Sequence, residues 1–210
     1  MSREAILLLG AGGHARSCID VIEQEGRYAV GGLVGLPQEL GSRVLGYPVL
    51  GADGDLPDLL PKFRHLLIGV GQIKSPDVRM KLFAQLEFGR CSLPVIISPR
   101  AYVSPHAQVG AGTIVMHGAI VNAGASIGRN CIINSQALVE HDTVIGDHCH
   151  IATAAVINGH VSIGAGSFIG SNACVRQGIR VAERSVVGMG QLVLSDCMAG
   201  SRLPPAEDKL

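Results

Sequence analysis

The chain has almost no aromatic residues: no Trp, three Tyr and four Phe among 210 residues. Large rings cannot fill its core, and with a hydrophobic share of 47% that core must be built from Val, Ile, Leu and Ala. Excess charge is missing too. Lys plus Arg and Asp plus Glu number 17 each, with no run of like charge, so the electrostatic footprint of a nucleic-acid or anionic-membrane binder is absent. The opening MSREAILLLGAGG has neither a signal-peptide cleavage pattern nor the ~20 apolar residues of a membrane span, and a cytoplasmic protein is expected. Cys18, Cys91, Cys131, Cys149, Cys174 and Cys197 form no C-x-x-C pair. That argues against a zinc ribbon or a thioredoxin-type motif and for reduced, buried thiols.

What is present is a period. From Ile97 to Val193 every sixth residue is Ile or Val, seventeen positions without an insertion. Four residues after most of them stands a small side chain, as at Ala101, Thr113, Ala119, Cys131 and Cys149. Just before it comes Gly, Asn or Asp, as at Gly112, Gly118, Asn130 and Asp142, residues that tolerate positive φ in a corner. A strand and a corner every six residues predict a triangular parallel β-helix, with three hexads to a coil of eighteen. Coils then stack ~4.8 Å apart, and residues one coil apart lie above one another.

The preceding residues follow another grammar. AILLLG (5–10), GAGGHA and RSCIDVIEQEG read as strand, glycine turn and helix. A second strand near 28–34, a third and a fourth element near 44–51 and 65–71, a helix over 76–89 and a last strand at 93–97 predict a small parallel α/β sheet of Rossmann-like type. The expected organisation is a Rossmann-like domain over 1–96, a left-handed β-helix over 97–198 and a tail over 199–210. Gly10, Gly12 and Ala15 satisfy G-x-G-x-x-A, where backbone amides and the helix dipole favour phosphate; a turn needing glycine only for packing is the structural alternative. The second strand ends at Gly35 rather than at an acid, and Glu39 is the nearest carboxylate. This disfavours a dehydrogenase and leaves a nucleotide sugar or a simple phosphate as ligand.

The stretch VEHDTVIGDHCHIATAAVINGH (139–160) carries four histidines. His148 and His150 are two apart near a corner and cannot both aim at one zinc ion, so no metal role is expected. His141, at a corner beside Asp142, suits a general base whose tautomer the carboxylate fixes. One coil on, His160 stacks beside Asp142 and Gly159 beside His141, which makes the Gly159 N–H a candidate donor to developing negative charge. His150 is half a coil from His141 and points to another side, so both line one site only if they come from different subunits. Asn134 falls near the corner of His150; His148 and His160 read as exposed corner residues, and His14 as a helix-start polar residue or a ligand contact.

GAGGHA, GVGQ (69–72), IINSQALVEHDTVIGDHCHI (132–151) and the hexads together resemble the bacterial sugar acyltransferases of the left-handed β-helix, hexapeptide-repeat class. Within it, the resemblance is to the branch of sialic acid O-acetyltransferases and nucleotide-activated 4-amino-sugar N-acetyltransferases. It implies a homotrimer with acetyl-CoA in the β-helix groove between subunits and the sugar nucleotide reaching the N-terminal domain. It also implies His141 as general base with Asp142 as partner, Asn134 and His150 at the substrate, Gly12, Gly13 and His14 at the nucleotide, and backbone near Gly170, Gly188 and Gly190 at CoA. Two departures stand out: Gly35 where that branch has Asp, and AGSRLPPAEDKL where it has A-G-x-P-A-K, with Arg202 and Lys209 as substitutes for the lysine. The expected activity is acetyl-CoA-dependent N-acetylation of a nucleotide-activated amino sugar, without a metal. O-acetylation of a sialic-type sugar and a non-catalytic β-helix scaffold are the alternatives.

Overall fold

The computed structural model describes residues 3–87 and 91–205. The N-terminal sheet comprises β1 (Glu4–Leu9), β2 (Tyr28–Gly35), β3 (Arg43–Val44), β4 (Tyr47–Ala52) and β5 (His65–Ile68), in the order β3-β4-β2-β1-β5. Helices α1 (Gly13–Glu25), α2 (Leu56–Leu59) and α3 (Asp77–Glu87) cover it. Successive side chains of β1 face opposite ways. Ile6 and Leu8 join Ile19 and Ile22 of α1, whereas Leu7 and Leu9 join Leu59 of α2 and Phe83 of α3. Burial on both faces is why the strand reads as one apolar run.

Two expectations about this sheet need correction. It is not wholly parallel, because the stretch at 44–51 folds as a hairpin and β3 runs antiparallel to β4 at the edge. The expected last strand at 93–97 does not join it either: Ile96–Ile97, here β6, pairs with Ile114–Val115 and opens the β-helix. Ile96 packs on the α1 side and Ile97 turns into the prism, so apolar residues on both sides imitate a central strand. The helix expected over 76–89 runs as α3 over Asp77–Glu87, and its remainder lies outside the described residues.

From β6 onward the chain is a left-handed parallel β-helix of two-residue strands in three sheets. Pairings such as Ile120 with Leu138 and Ile132 with His150 confirm the eighteen-residue register. The corner residue has positive φ at every sixth position from Gly112 to Gly190, including Asp142 (58°), His148 (60°) and His160 (56°). Ile and Val at the repeat positions, with Cys131 and Cys149, fill the prism. The expected tail supplies one more strand, Arg202–Leu203, on Val186–Val187; residues 206–210, including Lys209, lie outside the described residues. Among the described residues no helix is long and apolar enough to cross a membrane.

Among the described residues, the first face of the prism and the corners that flank it meet the N-terminal domain. The outward ladder of this face runs Ile96, Ile114, Ile132, His150, Phe168, Val186, Arg202. The first three are fully buried with α1 residues. The joint also contains Arg79 of α3, 1% exposed, which donates to the Ile68 and Val70 carbonyls at 2.8 and 2.7 Å and to Oδ1 and O of Asn130 at 2.6 and 3.0 Å. Desolvation brings its guanidinium down to about 10, so it remains a cation held mainly by carbonyl dipoles. A second tie runs from Asp20 of α1 through His117 (2.7 Å) to Ser98 (2.6 Å). Replacing Arg79 by Met should leave several buried acceptors unpaired and lower stability by about 3 kcal/mol, read as a fall in Tm.

Candidate functional site

The first cavity, of about 400 Å³, opens at the carboxyl ends of the parallel strands and is lined by the glycine turn, Gly35, Glu39 and Asp53. α1 starts at Gly13 with Gly12 as N-cap and no side chain capping it, and nothing stands within 4 Å of where a Cβ would be on either glycine. Unencumbered N–H groups at a helix start suit an anion. Glu39 is not a bystander. Its Oε2 accepts the Leu36 N–H at 2.7 Å and lies 2.8 Å from where a Cβ on Gly35 would be, so its carboxylate occupies the space that a strand-end side chain would fill.

His14 lines this cavity, and its buried Nε2 has no partner among the described residues. Behind it is the seam between the two halves. His150 Nδ1 donates to the Gln72 carbonyl (2.6 Å), and Asn134 Nδ2 donates to His150 Nε2 (3.0 Å). His14 and His150 have ring centroids 6.4 Å apart. Desolvation, then repulsion from Arg79 and His150, pushes His14 down to about 3; desolvation chiefly pushes His150 down to about 4. Burial therefore favours the neutral imidazole at both positions. His148 differs from its expected exposed role: it is half-buried, bonded to Asn130 Nδ2 (2.9 Å) and edge-on to Phe83.

Below the seam the first face continues as an apolar groove. A cavity of about 520 Å³ is lined by Phe168, Val186, Leu203, Gly170, Gly188 and the cations Lys74 and Arg202, and it adjoins a second of about 330 Å³ that also contains Arg184. Gly170 and Gly188 have a structural duty besides, since a Cβ on them would stand 2.6 and 2.3 Å from backbone one coil on. Gly190 sits at a corner (φ 69°) outside the lining.

His141 lies on the opposite side, at the corner between the second and third faces. Its Nδ1 is 2.9 Å from Asp142 Oδ2, and its ring is half exposed. The hydrogen bond from His141 holds the Asp142 carboxyl below the usual carboxylate range. Glu140 Oε2 accepts the His141 N–H (3.2 Å) and a bond from Asn122 (3.0 Å), which fixes the backbone. A Cβ on Gly159 would stand 2.7 Å from His141 Cε1 and Nε2, so the ring lies where only glycine leaves room. His160 is exposed as expected but also engaged, 3.7 Å from Asp142 Oδ2 and edge-on to His141 at 5.2 Å. In one chain, then, His141 meets Asp142, Gly159 and His160, while Asn134 and His150 join the seam on the far side. Gln72, Lys74, Asp53, Arg79 and Arg184 were not singled out as site residues from sequence; of these only Gln72 carried a signal, as the end of GVGQ.

The sequence matches the PglD N-terminal domain over residues 5–86, the bacterial transferase hexapeptide (six repeats) over 124–159 and the hexapeptide repeat of succinyl-transferase over 160–195. The structure is similar to PerB from Caulobacter crescentus in complex with CoA and GDP-perosamine, with 33% identity, TM-score 0.85, and coverage of 96% of this chain and 91% of that one. It is also similar to the acetyltransferase domain of PglB from Neisseria gonorrhoeae in complex with acetyl coenzyme A, with 31% identity, TM-score 0.88, and coverage of 98% and 99%. WeeI from Acinetobacter baumannii shares the fold, with 22% identity, TM-score 0.70, and coverage of 91% and 94%. Comparison with curated protein sequences returns no match.

The buried imidazoles generate a pH prediction. Their pKa values lie below the unfolded value of 6.5, so the unfolded chain binds more protons as pH falls and stability is lost from about pH 6.5 downward, through about 4 for His150 and about 3 for His14. By pH 4.5 each should cost on the order of 2 kcal/mol, and the fall in Tm between pH 7 and 4.5 should be shallower in His150→Gln.

Proposed function

The chain belongs to the hexapeptide-repeat sugar acetyltransferases, and from that premise we propose that it transfers the acetyl group of acetyl-CoA to the amine of a nucleotide-activated amino sugar, with His141 as general base. The observation that carries this reading is the His141–Asp142 pair, with the imidazole edge lying over the space that Gly159 leaves. Asp142 accepts the Nδ1–H and so leaves the Nε2 lone pair free. As the sugar nitrogen forms its bond to the thioester carbonyl carbon, Nε2 takes a proton from that nitrogen, and Asp142 stabilises the resulting imidazolium. The Gly159 N–H is offered as a donor to the carbonyl oxygen while it bears negative charge. Cleavage of the C–S bond then releases the CoA thiolate, which recovers the proton held by His141.

The cavity at the start of α1 suits the diphosphate of the sugar nucleotide, with Gly12, Gly13 and His14 on its phosphate side and Glu39 supplying the carboxylate that Gly35 lacks. The groove of Phe168, Val186 and Leu203, rimmed by Lys74, Arg184 and Arg202, suits an apolar tether ending in phosphates and is assigned to acetyl-CoA, with Gly170 and Gly188 at its wall and Gly190 at the corner beyond. His141 and this groove lie on different sides of one prism, so a complete site takes them from neighbouring subunits of a homotrimer. Exposed Tyr102, Ile120 and Leu192 on the second face offer apolar surface for that contact.

The test is release of free thiol from acetyl-CoA with a panel of UDP-, GDP- and dTDP-linked amino sugars and of sialic acids. Turnover on one amino sugar is expected. His141→Ala should lower kcat by about 10²-fold or more with Tm retained, and thiol release equal to wild type would remove His141 as the base. Turnover on sialic acids alone would move the assignment to O-acetylation. Gly159→Ala should displace the imidazole and cost about 10²-fold in kcat, again with the fold intact.

A further inference from the structure

We propose that His141, Asp142 and His160 form a divalent transition-metal site, with zinc(II) the ion its donors suit, and that an ion bound there inhibits the enzyme by occupying His141. The inhibitory half rests on the reading of His141 as the base; the site itself does not.

One nitrogen from each imidazole and one carboxylate oxygen lie within 4.8 Å of one another. The oxygen, Asp142 Oδ2, is 2.9 Å from His141 Nδ1 and 3.7 Å from His160 Nε2. Donors about 2.0 to 2.1 Å from a tetrahedral zinc stand about 3.3 to 3.5 Å apart, so the two distances to Asp142 Oδ2 lie within about half an ångström of that spacing, and side-chain rotation of the exposed imidazoles would close the remaining one around an ion. Two imidazoles and one carboxylate favour zinc or its late first-row neighbours over magnesium or calcium, which prefer oxygen alone. All three side chains are about half exposed, which leaves a fourth position for water and an open approach.

The fold prepares the donors. Asp142 and His160 occupy successive corners of the same edge, both at positive φ, with the His160 N–H bonded to the His141 carbonyl (3.1 Å). A Cβ on Gly124 would stand 2.4 Å from Asp142 Oδ1, and Gly159 leaves the room that His141 uses, so both neighbouring glycines keep the site clear. Glu140 is turned away, accepting from Asn122 and the His141 backbone.

The consequence for His141 follows from its two nitrogens. With Nδ1–H directed at Asp142, Nε2 carries the free lone pair. When the ion takes the Nδ1 lone pair, the single proton of the neutral ring resides on Nε2, the atom that should receive the substrate's proton. Coordination and proton acceptance are therefore mutually exclusive.

The experiment titrates zinc chloride into the purified full chain by calorimetry, with the visible absorption of cobalt(II) as a coordination signal, for wild type and His160→Gln. Thiol release is followed in parallel, each protein normalised to its own metal-free rate. The expected result is one ion per chain in wild type, affinity at least about 10-fold weaker in His160→Gln, and zinc inhibition weakened by the same factor. No binding to wild type, or binding unchanged in His160→Gln, overturns the site. Binding that depends on His160 but leaves turnover untouched keeps the site and overturns its inhibitory role, while the assignment of His141 as base is decided separately by the His141→Ala variant.

Discussion

The guanidinium of Arg79 is the contact on which the placement of everything else depends. Among the described residues it is the only Lys, Arg, Asp or Glu that is buried, and it has no carboxylate partner. Its donors instead reach the carboxyl end of β5 on one side and a β-helix corner, Asn130, on the other. A buried cation whose two terminal nitrogens are held by fixed carbonyls of both halves, with its Nε left without a partner among the described residues, favours one relative position of the two halves. That position puts the glycine turn of α1 above His150 and lets the first face emerge from under the sheet as a groove. A different docking of the sheet would leave both cavities but break their alignment.

How much of this could be read from sequence follows from how many constraints each residue answers to. The β-helix was legible because one inward position must be Ile or Val at every sixth residue and each coil repeats the test. The pairing of Gly159 with His141 and of His160 with Asp142 follows from the same register. Arg79 was not legible, because a charged residue in an amphipathic helix normally faces solvent and nothing local says otherwise. Nor was the role of Glu39, whose carboxylate reaches back over Gly35 from a short 3-10 turn, Pro37–Glu39. Ile96 and Ile97 misled because each is buried by a different half of the molecule.

The corners qualify any reading of backbone strain as a mark of function. Asp142 and His160, which belong to the histidine cluster, have positive φ, but so do Gln136, Ala154 and Asn172, which line neither the cavities described above nor the cluster. A left-handed corner costs an ordinary L-residue roughly 1 to 2 kcal/mol, and the coil ladder on both sides sustains it wherever the sequence omits glycine or asparagine. What distinguishes residues 141–142 is the emptiness around them, kept by Gly124 and Gly159.

The ladder on the first face has a consequence for how such a molecule can change. Its rungs, from Ile96 to Arg202, are spaced by the interstrand distance of about 4.8 Å, and each rung before Arg202 opens a coil. Inserting or deleting one coil below the seam would lengthen or shorten the groove by that increment without disturbing the α1 cavity or the packing of α1 on Ile114 and Ile132. The fold is in this respect a ruler with fixed graduations. The length of tether it can measure changes in whole steps, and intermediate lengths have to be accommodated by the side chains at the ends.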